Sequence, residues 1–197
     1  MKKIICFGDS NTYGAHGFTG GRYHSAERWT GRIGGFLGCE VRNAGMNGRE
    51  IPEGRWDLAE VSRLLEEEAP FDLFVVMLGS NDLLMMFKTG MPKITARMEA
   101  FLKEVLRMPA IDGNGKKILL IAPPPTQLSR YGSDGERFDR ISLEFADSYL
   151  KLANKLGVRF ADAGQWHVDI GPDGVHFTAE GHKKFAEGLE KVLQQIK

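Results

Sequence analysis

Residues 73–78, with the sequence LFVVML, are apolar at every position. A strand that is apolar on both faces needs cover on both sides, which parallel sheets obtain from helices packed above and below. Shorter strand-like runs, each followed by turn residues and then by a helical pattern, recur along the chain. They lie at residues 4–7, 40–43, 118–121 and 158–160. This alternation predicts an α/β fold, a three-layer α/β/α sandwich around a doubly wound, five-stranded parallel sheet.

Amphipathic stripes with the period of an α-helix connect the predicted strands. They cover residues 25–37, 56–68, 94–106 and 138–156, and a closing helix begins at the cap residue Thr178. The segments 83–87 and 130–137 are interpreted as loops. No repeat, low-complexity tract or linker interrupts the pattern, and 197 residues suffice for a core. We therefore expect one domain over residues 1–197.

Charge and cysteine content restrict the partners and the compartment. Acidic and basic residues balance at 26 each, so nothing favours a nucleic-acid or acidic-membrane partner. Two cysteines, Cys6 and Cys39, are too few for a disulfide scaffold and are interpreted as reduced thiols. No apolar run approaches the roughly 20 residues of a membrane span. The run at 4–7 is also too short for a signal peptide. The cytoplasm is the predicted compartment.

Polar motifs follow the predicted strands, at the edge where open α/β sheets bind ligands. The sequence GDSNTYG at residues 8–14 places Ser10 there, while Asp9 is interpreted as a residue that holds the turn. A serine hydroxyl becomes a nucleophile when a base removes its proton, and histidine has a suitable pKa. Asp173 and His176 are three residues apart, so one turn could bring carboxylate and imidazole together. The four motif pieces are residues 8–14, 43–45, 79–82 and 173–176.

In this order, and over nearly the whole chain, the four pieces resemble the GDSL, or SGNH, family of serine hydrolases. The four letters of the name SGNH correspond here to Ser10, Gly45, Asn81 and His176. The resemblance implies Ser10 as nucleophile, His176 as base and Asp173 as the acid that orients it, with no metal and no cofactor. It also implies an oxyanion hole made by the backbone N–H of Ser10, the backbone N–H of Gly45 and the side chain of Asn81. A glycine at 45 would let the substrate approach that N–H.

The sequence departs from the name-giving pattern at Asn11, where the family label has leucine, in a position without a catalytic role in the family. Arg28-Trp29, the segment 77–82 and the prolines 123–125 resemble the branch that contains bacterial arylesterases and perhydrolases. The implied function is a serine esterase that hydrolyses short, acetyl-type esters of small alcohols, phenols or sugars. A short chain without a lid-sized insertion favours small acyl groups. Members of that branch commonly assemble, so the resemblance also implies that a homo-oligomer could form.

The same residues also allow other functions. Asp82 next to Asn81 suggests a metallophosphatase, but no histidine adjoins Asn81 to complete such a site. A lysophospholipase, a thioesterase, an acyltransferase or a silent sugar- or lipid-binding domain would use the same fold and remains an alternative. The glycine-rich segment 15–24 is a candidate pocket wall. The remaining histidines are interpreted as loop or surface residues: His16, His24, His167 and His182.

Overall fold

In the computed structural model, which describes residues 1–85 and 90–196, five parallel strands form one sheet. The strands are β1 (Lys3–Gly8), β2 (Glu40–Gly45), β3 (Leu73–Met77), β4 (Ile118–Ala122) and β5 (Arg159–Asp162). Their order across the sheet is β2-β1-β3-β4-β5. This confirms the predicted doubly wound sheet. The order reverses between β1 and β3, and ligands of such sheets bind beyond the carboxyl ends of the strands at that switch point.

The register brings the ends of the three strands around the switch point to the same level. Gly8, the last residue of β1, lies opposite Gly45 of β2 and Met77 of β3. The segments that leave these strands therefore start side by side, and the segment that contains Ser10 is the central one of the three.

Helices cover both faces of the sheet. They are α1 (Ser10–Tyr13), α2 (Trp29–Leu37), α3 (Gly54–Glu67), α4 (Ser80–Met85), α5 (Met91–Arg107), α6 (Ser133–Ser142), α7 (Phe145–Leu156) and α8 (Ala179–Gln195). On one face Phe101 of α5 and Tyr149 of α7 share a core with Phe74 of β3. On the other face Trp29 of α2 and Phe185 of α8 share a core with Val75. Neighbouring residues of β3 thus supply opposite cores, as alternation along a strand requires.

The single helix predicted over residues 138–156 is wrong, because the chain forms two helices, α6 and α7, with a break after Ser142. The Oγ of Ser142 donates to the backbone O of Asp139 at 2.7 Å and accepts the backbone N–H of Thr126 at 3.1 Å. A side chain that bonds its own helix backbone and a distant segment competes with regular continuation of the helix.

Both segments interpreted as loops contain helix. Residues 130–137 include part of a 3-10 turn, Ser129–Tyr131, and the start of α6. Helix α4 extends to Met85 and so occupies the first part of segment 83–87, whereas residues 86 and 87 lie outside the described residues. Among the described residues, no helix combines the length and the apolar character that crossing a membrane requires.

The interpretation of His182 as a surface residue is wrong. Its side chain has no exposed area and lies against the rings of Tyr23 and Phe177, at centroid distances of 5.1 and 5.4 Å. Its Nδ1 accepts the backbone N–H of Trp29 at 3.4 Å. Burial, together with two nearby arginines, lowers the pKa of His182 to about 3, so the ring is neutral at pH 7.

Candidate active site

The turn after β1 is held by the side chain of Asp9, as predicted. Its Oδ1 accepts the backbone N–H of Asn11 at 2.9 Å and so caps α1. Gly14, with φ of 89°, ends the helix after a single turn. Ser10 is the first residue of α1, and its backbone N–H has no acceptor among the described residues, as helix geometry dictates for a first turn. The turn therefore presents a serine side chain and an open N–H at the switch point.

A hairpin-like turn after β5 carries the second part of the site. Ile170 and Phe177 form an antiparallel bridge, and the N–H of Gly171 donates to the backbone O of His176 at 2.7 Å. At the tip, the backbone O of Gly174 accepts an N–H from the segment that follows β4, at 2.8 Å. The turn is thus fixed at its base and at its tip, and it brings His176 from the edge strand back to β1.

Ser10, His176 and Asp173 form a hydrogen-bonded row. Nε2 of His176 is 2.9 Å from Oγ of Ser10, and Nδ1 is 2.7 Å from Oδ2 of Asp173. A carboxylate only accepts, so Nδ1 carries the ring proton and Nε2 can accept from the serine hydroxyl. The other carboxylate oxygen, Oδ1, accepts the N–H of Val175 at 3.0 Å and that of His176 at 2.9 Å. The arrangement can take a proton from Ser10, which is what a serine nucleophile needs.

The environment of Asp173 keeps its carboxyl group ionised. Burial acts to raise its pKa, but hydrogen bonds from the backbone of Val175 and from the backbone and ring of His176 outweigh it, so the pKa lies below 3.8. Segment 15–24 packs on this pair, because a Cβ at Gly17 would lie 2.1 Å from Oδ2 of Asp173. A side chain at position 17 would collide with the acid, so the segment can approach Asp173 only because this residue is a glycine.

Asn81 is the second residue of α4, just after β3, and it faces the segment that follows β2. Its Nδ2 donates to the backbone O of Arg49 at 3.0 Å. The guanidinium group of Arg49 lies 4.1 Å above the ring of Phe7 and donates to the backbone O of Gly8 at 2.9 Å. These contacts join the ends of β1, β2 and β3 into one polar edge beside Ser10.

Gly45 is the last residue of β2, and its backbone N–H is already bonded within the chain. It donates to Oδ1 of Asn43 at 3.0 Å. A Cβ at position 45 would lie 2.1 Å from the backbone N of Tyr13, so the close approach of α1 requires the glycine. This packing gives the glycine a structural reason, and the bonded N–H gives the donor role of Gly45 no support. The expectation that the glycine makes room for a substrate stays a prediction.

Residues 6–184 match the model of the GDSL-like lipase/acylhydrolase family. The chain belongs to this family. A carbohydrate acetylesterase family member from Sinorhizobium meliloti is 28% identical, with a TM-score of 0.85 over 100% of this chain and 99% of that chain. The aryl esterase of M. smegmatis is 27% identical, with a TM-score of 0.84 over 100% of both chains. The sequence has no significant match among curated proteins.

In this GDSL-like chain, the turn after β2 offers another backbone donor, Gly48, which the sequence analysis missed. The N–H of Arg49 donates to the backbone O of Met46 at 3.2 Å, and Gly48 adopts φ of 71° inside this turn. Gly48 is exposed, and its own N–H has no acceptor among residues 1–85 and 90–196. The N–H of Met46 is bonded to the backbone O of Gly8 at 3.1 Å, which keeps the turn beside β1. Sequence alone does not distinguish Gly45 from Gly48 as a donor, since the difference lies in the hydrogen bonding of the folded chain.

The aspartate of the GDSL-type motif, Asp9, is buried, and no cation of the described part of the chain forms an ion pair with it. Burial raises the pKa of Asp9 to about 6, although the N–H of Asn11 and the nearby His176 and Arg49 act to lower it. Between its ordinary pKa of 3.8 and about 6, the folded chain therefore binds more protons at this group than the unfolded chain does. Stability linked to Asp9 is fully present below 3.8 and is lost as the pH rises through about 6.

Asp9→Asn should consequently gain stability relative to wild type as the pH rises. The amide keeps an oxygen to accept the N–H of Asn11 but cannot ionise. We expect the difference in free energy of unfolding between variant and wild type to move in the variant's favour by about 1 kcal/mol between pH 5 and pH 7. Urea unfolding of both proteins at the two pH values measures it. A difference that does not change with pH would show that the buried carboxyl group does not titrate in this interval.

Proposed function

We propose that this chain is a serine ester hydrolase in which Ser10 attacks the acyl carbonyl, His176 accepts the serine proton and Asp173 orients the histidine. The observation that carries the proposal is the row of hydrogen bonds, at 2.9 and 2.7 Å, from Oγ of Ser10 through the imidazole to the carboxylate. Membership of the GDSL-like lipase/acylhydrolase family supports the same chemistry.

The reaction takes place in two acyl-transfer steps. As the Oγ–carbon bond forms, the hydroxyl proton passes to Nε2 of His176, and the departing alcohol later takes it from there. Water then attacks the acyl-serine ester and gives a proton to the same nitrogen. The bond between Oγ of Ser10 and the acyl carbon breaks, Oγ takes that proton back from His176, and the carboxylic acid leaves. Asp173 stays ionised throughout, which its lowered pKa favours, and stabilises the imidazolium ring in each step.

Three donors stabilise the oxyanion of the tetrahedral intermediate: the N–H of Ser10, the N–H of Gly48 and the side-chain amide of Asn81. Support comes from the two backbone groups, which lack acceptors among the described residues, and from Asn81, whose amide has a second N–H besides the one that holds Arg49. In this proposal Gly48 replaces Gly45, to which the family resemblance assigned the role. Preorganised donors of this kind are commonly the largest single contribution to catalysis of acyl transfer.

The substrates we propose are short-chain, acetyl-type esters of small alcohols, phenols or sugars. Two solved structures that are 27–28% identical over the whole chain are described as a carbohydrate acetylesterase family member and an aryl esterase. Hydrolysis of lysophospholipids or thioesters and transfer of the acyl group to another acceptor would use the same side chains, so the test must separate them.

Hydrolysis of p-nitrophenyl esters from acetate to laurate, with an acetylated sugar alongside, tests the substrate class. Acetate or butyrate should be hydrolysed faster than laurate. A fluorophosphonate probe should label the protein at Ser10, as located by mass spectrometry. Ser10→Ala should abolish the label, and Ser80→Ala, a buried serine on α4, should retain it.

Each other result points to a different function. Labelling that persists in Ser10→Ala, or activity abolished by EDTA, would contradict the serine mechanism. Rates that rise steadily to laurate would indicate a lipid substrate. A labelled protein that forms acyl products only when an alcohol acceptor is added would be an acyltransferase.

A further inference from the structure

One side chain, that of Asn11, is bonded to the backbone on either side of His176. Its Nδ2 donates to the backbone O of Val175 at 3.1 Å, and its Oδ1 accepts the N–H of Phe177 at 2.9 Å. The reverse orientation of the amide would set oxygen against the Val175 carbonyl and NH₂ against the Phe177 N–H, so only the stated orientation pairs both groups. The amide therefore pairs with residues 175–177 much as a peptide group of a neighbouring strand would.

Asn11 is itself fixed through its backbone. Its N–H donates to Oδ1 of Asp9 at 2.9 Å, and its O accepts the indole N–H of Trp29 at 3.0 Å. The Trp29 side chain has no exposed area, and Asn11 is 6% exposed. Each nitrogen and oxygen atom of Asn11 thus has at least one hydrogen-bond partner, and a buried network of this kind restricts a side chain to one arrangement.

The other contacts of the histidine backbone come from its own turn. The N–H of His176 is bonded to Oδ1 of Asp173, and its O accepts the N–H of Gly171. Those bonds set the imidazole relative to the acid, but they do not set the turn relative to Ser10. The two bonds from Asn11 do so, because Asn11 follows Ser10 directly in α1.

We propose that Asn11 is a positioning residue that sets the distance between Oγ of Ser10 and Nε2 of His176. It touches neither the substrate nor the transferred proton, and it acts by holding residues 175–177 against α1. The inference rests on the proposed function. Because a misplacement of about 1 Å can lower a rate about 10²-fold, the effect on catalysis should exceed the effect on binding.

Two variants separate positioning from folding. Asn11→Leu removes both bonds at similar size, and we expect kcat for p-nitrophenyl acetate to fall about 10- to 100-fold with KM within about threefold of wild type. Asn11→Asp keeps the acceptor for Phe177 but sets an oxygen against the carbonyl of Val175. Its kcat relative to wild type should rise as the pH falls, because a protonated carboxyl group can donate to that carbonyl. A purely structural role would not produce this recovery.

Leu193→Ala is the control for stability. Leu193 is fully buried, about 20 Å along α8 from the first residue of that helix, so its loss lowers stability without touching either turn. The proposal holds if Leu193→Ala keeps its kcat at a Tm equal to or below that of the Asn11 variants. It is overturned if Leu193→Ala loses as much kcat, or if both Asn11 variants keep kcat within about twofold of wild type.

Asn11→Asp decides the matter if Asn11→Leu does not fold. An inactive, unlabelled wild type overturns the proposed function and this inference with it, whereas an active wild type with unaffected Asn11 variants overturns this inference alone.

Discussion

Replacing Asp173 with asparagine should lower kcat by up to about 10⁴, the effect of the equivalent change in a serine protease. The amide oxygen can still accept the two backbone N–H groups that Oδ1 accepts now. Its NH₂ group then faces Nδ1 of His176, and two donors cannot share one bond. The imidazole avoids the conflict by moving its proton to Nε2, which leaves Ser10 facing a donor instead of a base.

Asp169 provides the matched control, since it also precedes the histidine in the same turn. Its carboxylate accepts the hydroxyl of Thr178 at 2.5 Å, at the start of α8, and so faces the helix cap. We expect Asp169→Asn to retain most of the activity, because an amide oxygen can accept the same hydroxyl. Circular dichroism should show both variants folded. Equal losses, or a larger loss in Asp169→Asn, would remove Asp173 from the orienting role.

The fold was predictable because local patterns and global architecture agree. An apolar run with no polar face, such as residues 73–78, has few places in a domain other than a central parallel strand. The single helix over residues 138–156 was wrong because Ser142 is bonded to Thr126, a contact that no local pattern reveals. The interpretation of His182 as a surface residue was wrong for the same reason, since the ring of Tyr23 and the backbone N–H of Trp29 that contact it come from a distant segment.

For the candidate site, the motifs identified the side chains that meet, but they carry no information on which backbone N–H groups are already hydrogen-bonded. Ser10, Asp173 and His176 lie together as the order of the motifs suggests, and their catalytic roles stay predictions. The donor after β2 depends on which N–H is open, and that is decided by the side chain of Asn43 bonding Gly45. The sequence analysis gives Asn11 no role because that position has no catalytic role in the family, whereas the positioning role proposed above depends on two bonds across 164 and 166 positions of sequence.

Asn81→Ala should lower kcat about 10²- to 10³-fold with a smaller change in KM, as removal of one oxyanion donor does in a protease. The charge on the carbonyl oxygen grows only as the tetrahedral intermediate forms, so the donor acts mainly on the rate. The neighbouring Ser80→Ala, in the same turn of α4, should stay within about threefold of wild type. A loss confined to KM would mean that Asn81 binds the ground state instead.

Asn81→Ala also removes the bond from the side chain to the backbone O of Arg49, so a shift of the turn that contains Gly48 would add to the loss of kcat. The backbone amide signals of wild-type protein show whether Gly48 in that turn is itself a donor. When a phosphonate occupies Ser10, its oxygen stands where the oxyanion would, and the amide proton of Gly48 should move downfield. Gly45 should not respond, because its N–H is already bonded to Asn43. A response at Gly45 alone would require Asn43 to turn away when the oxyanion forms, and would return the donor role to Gly45.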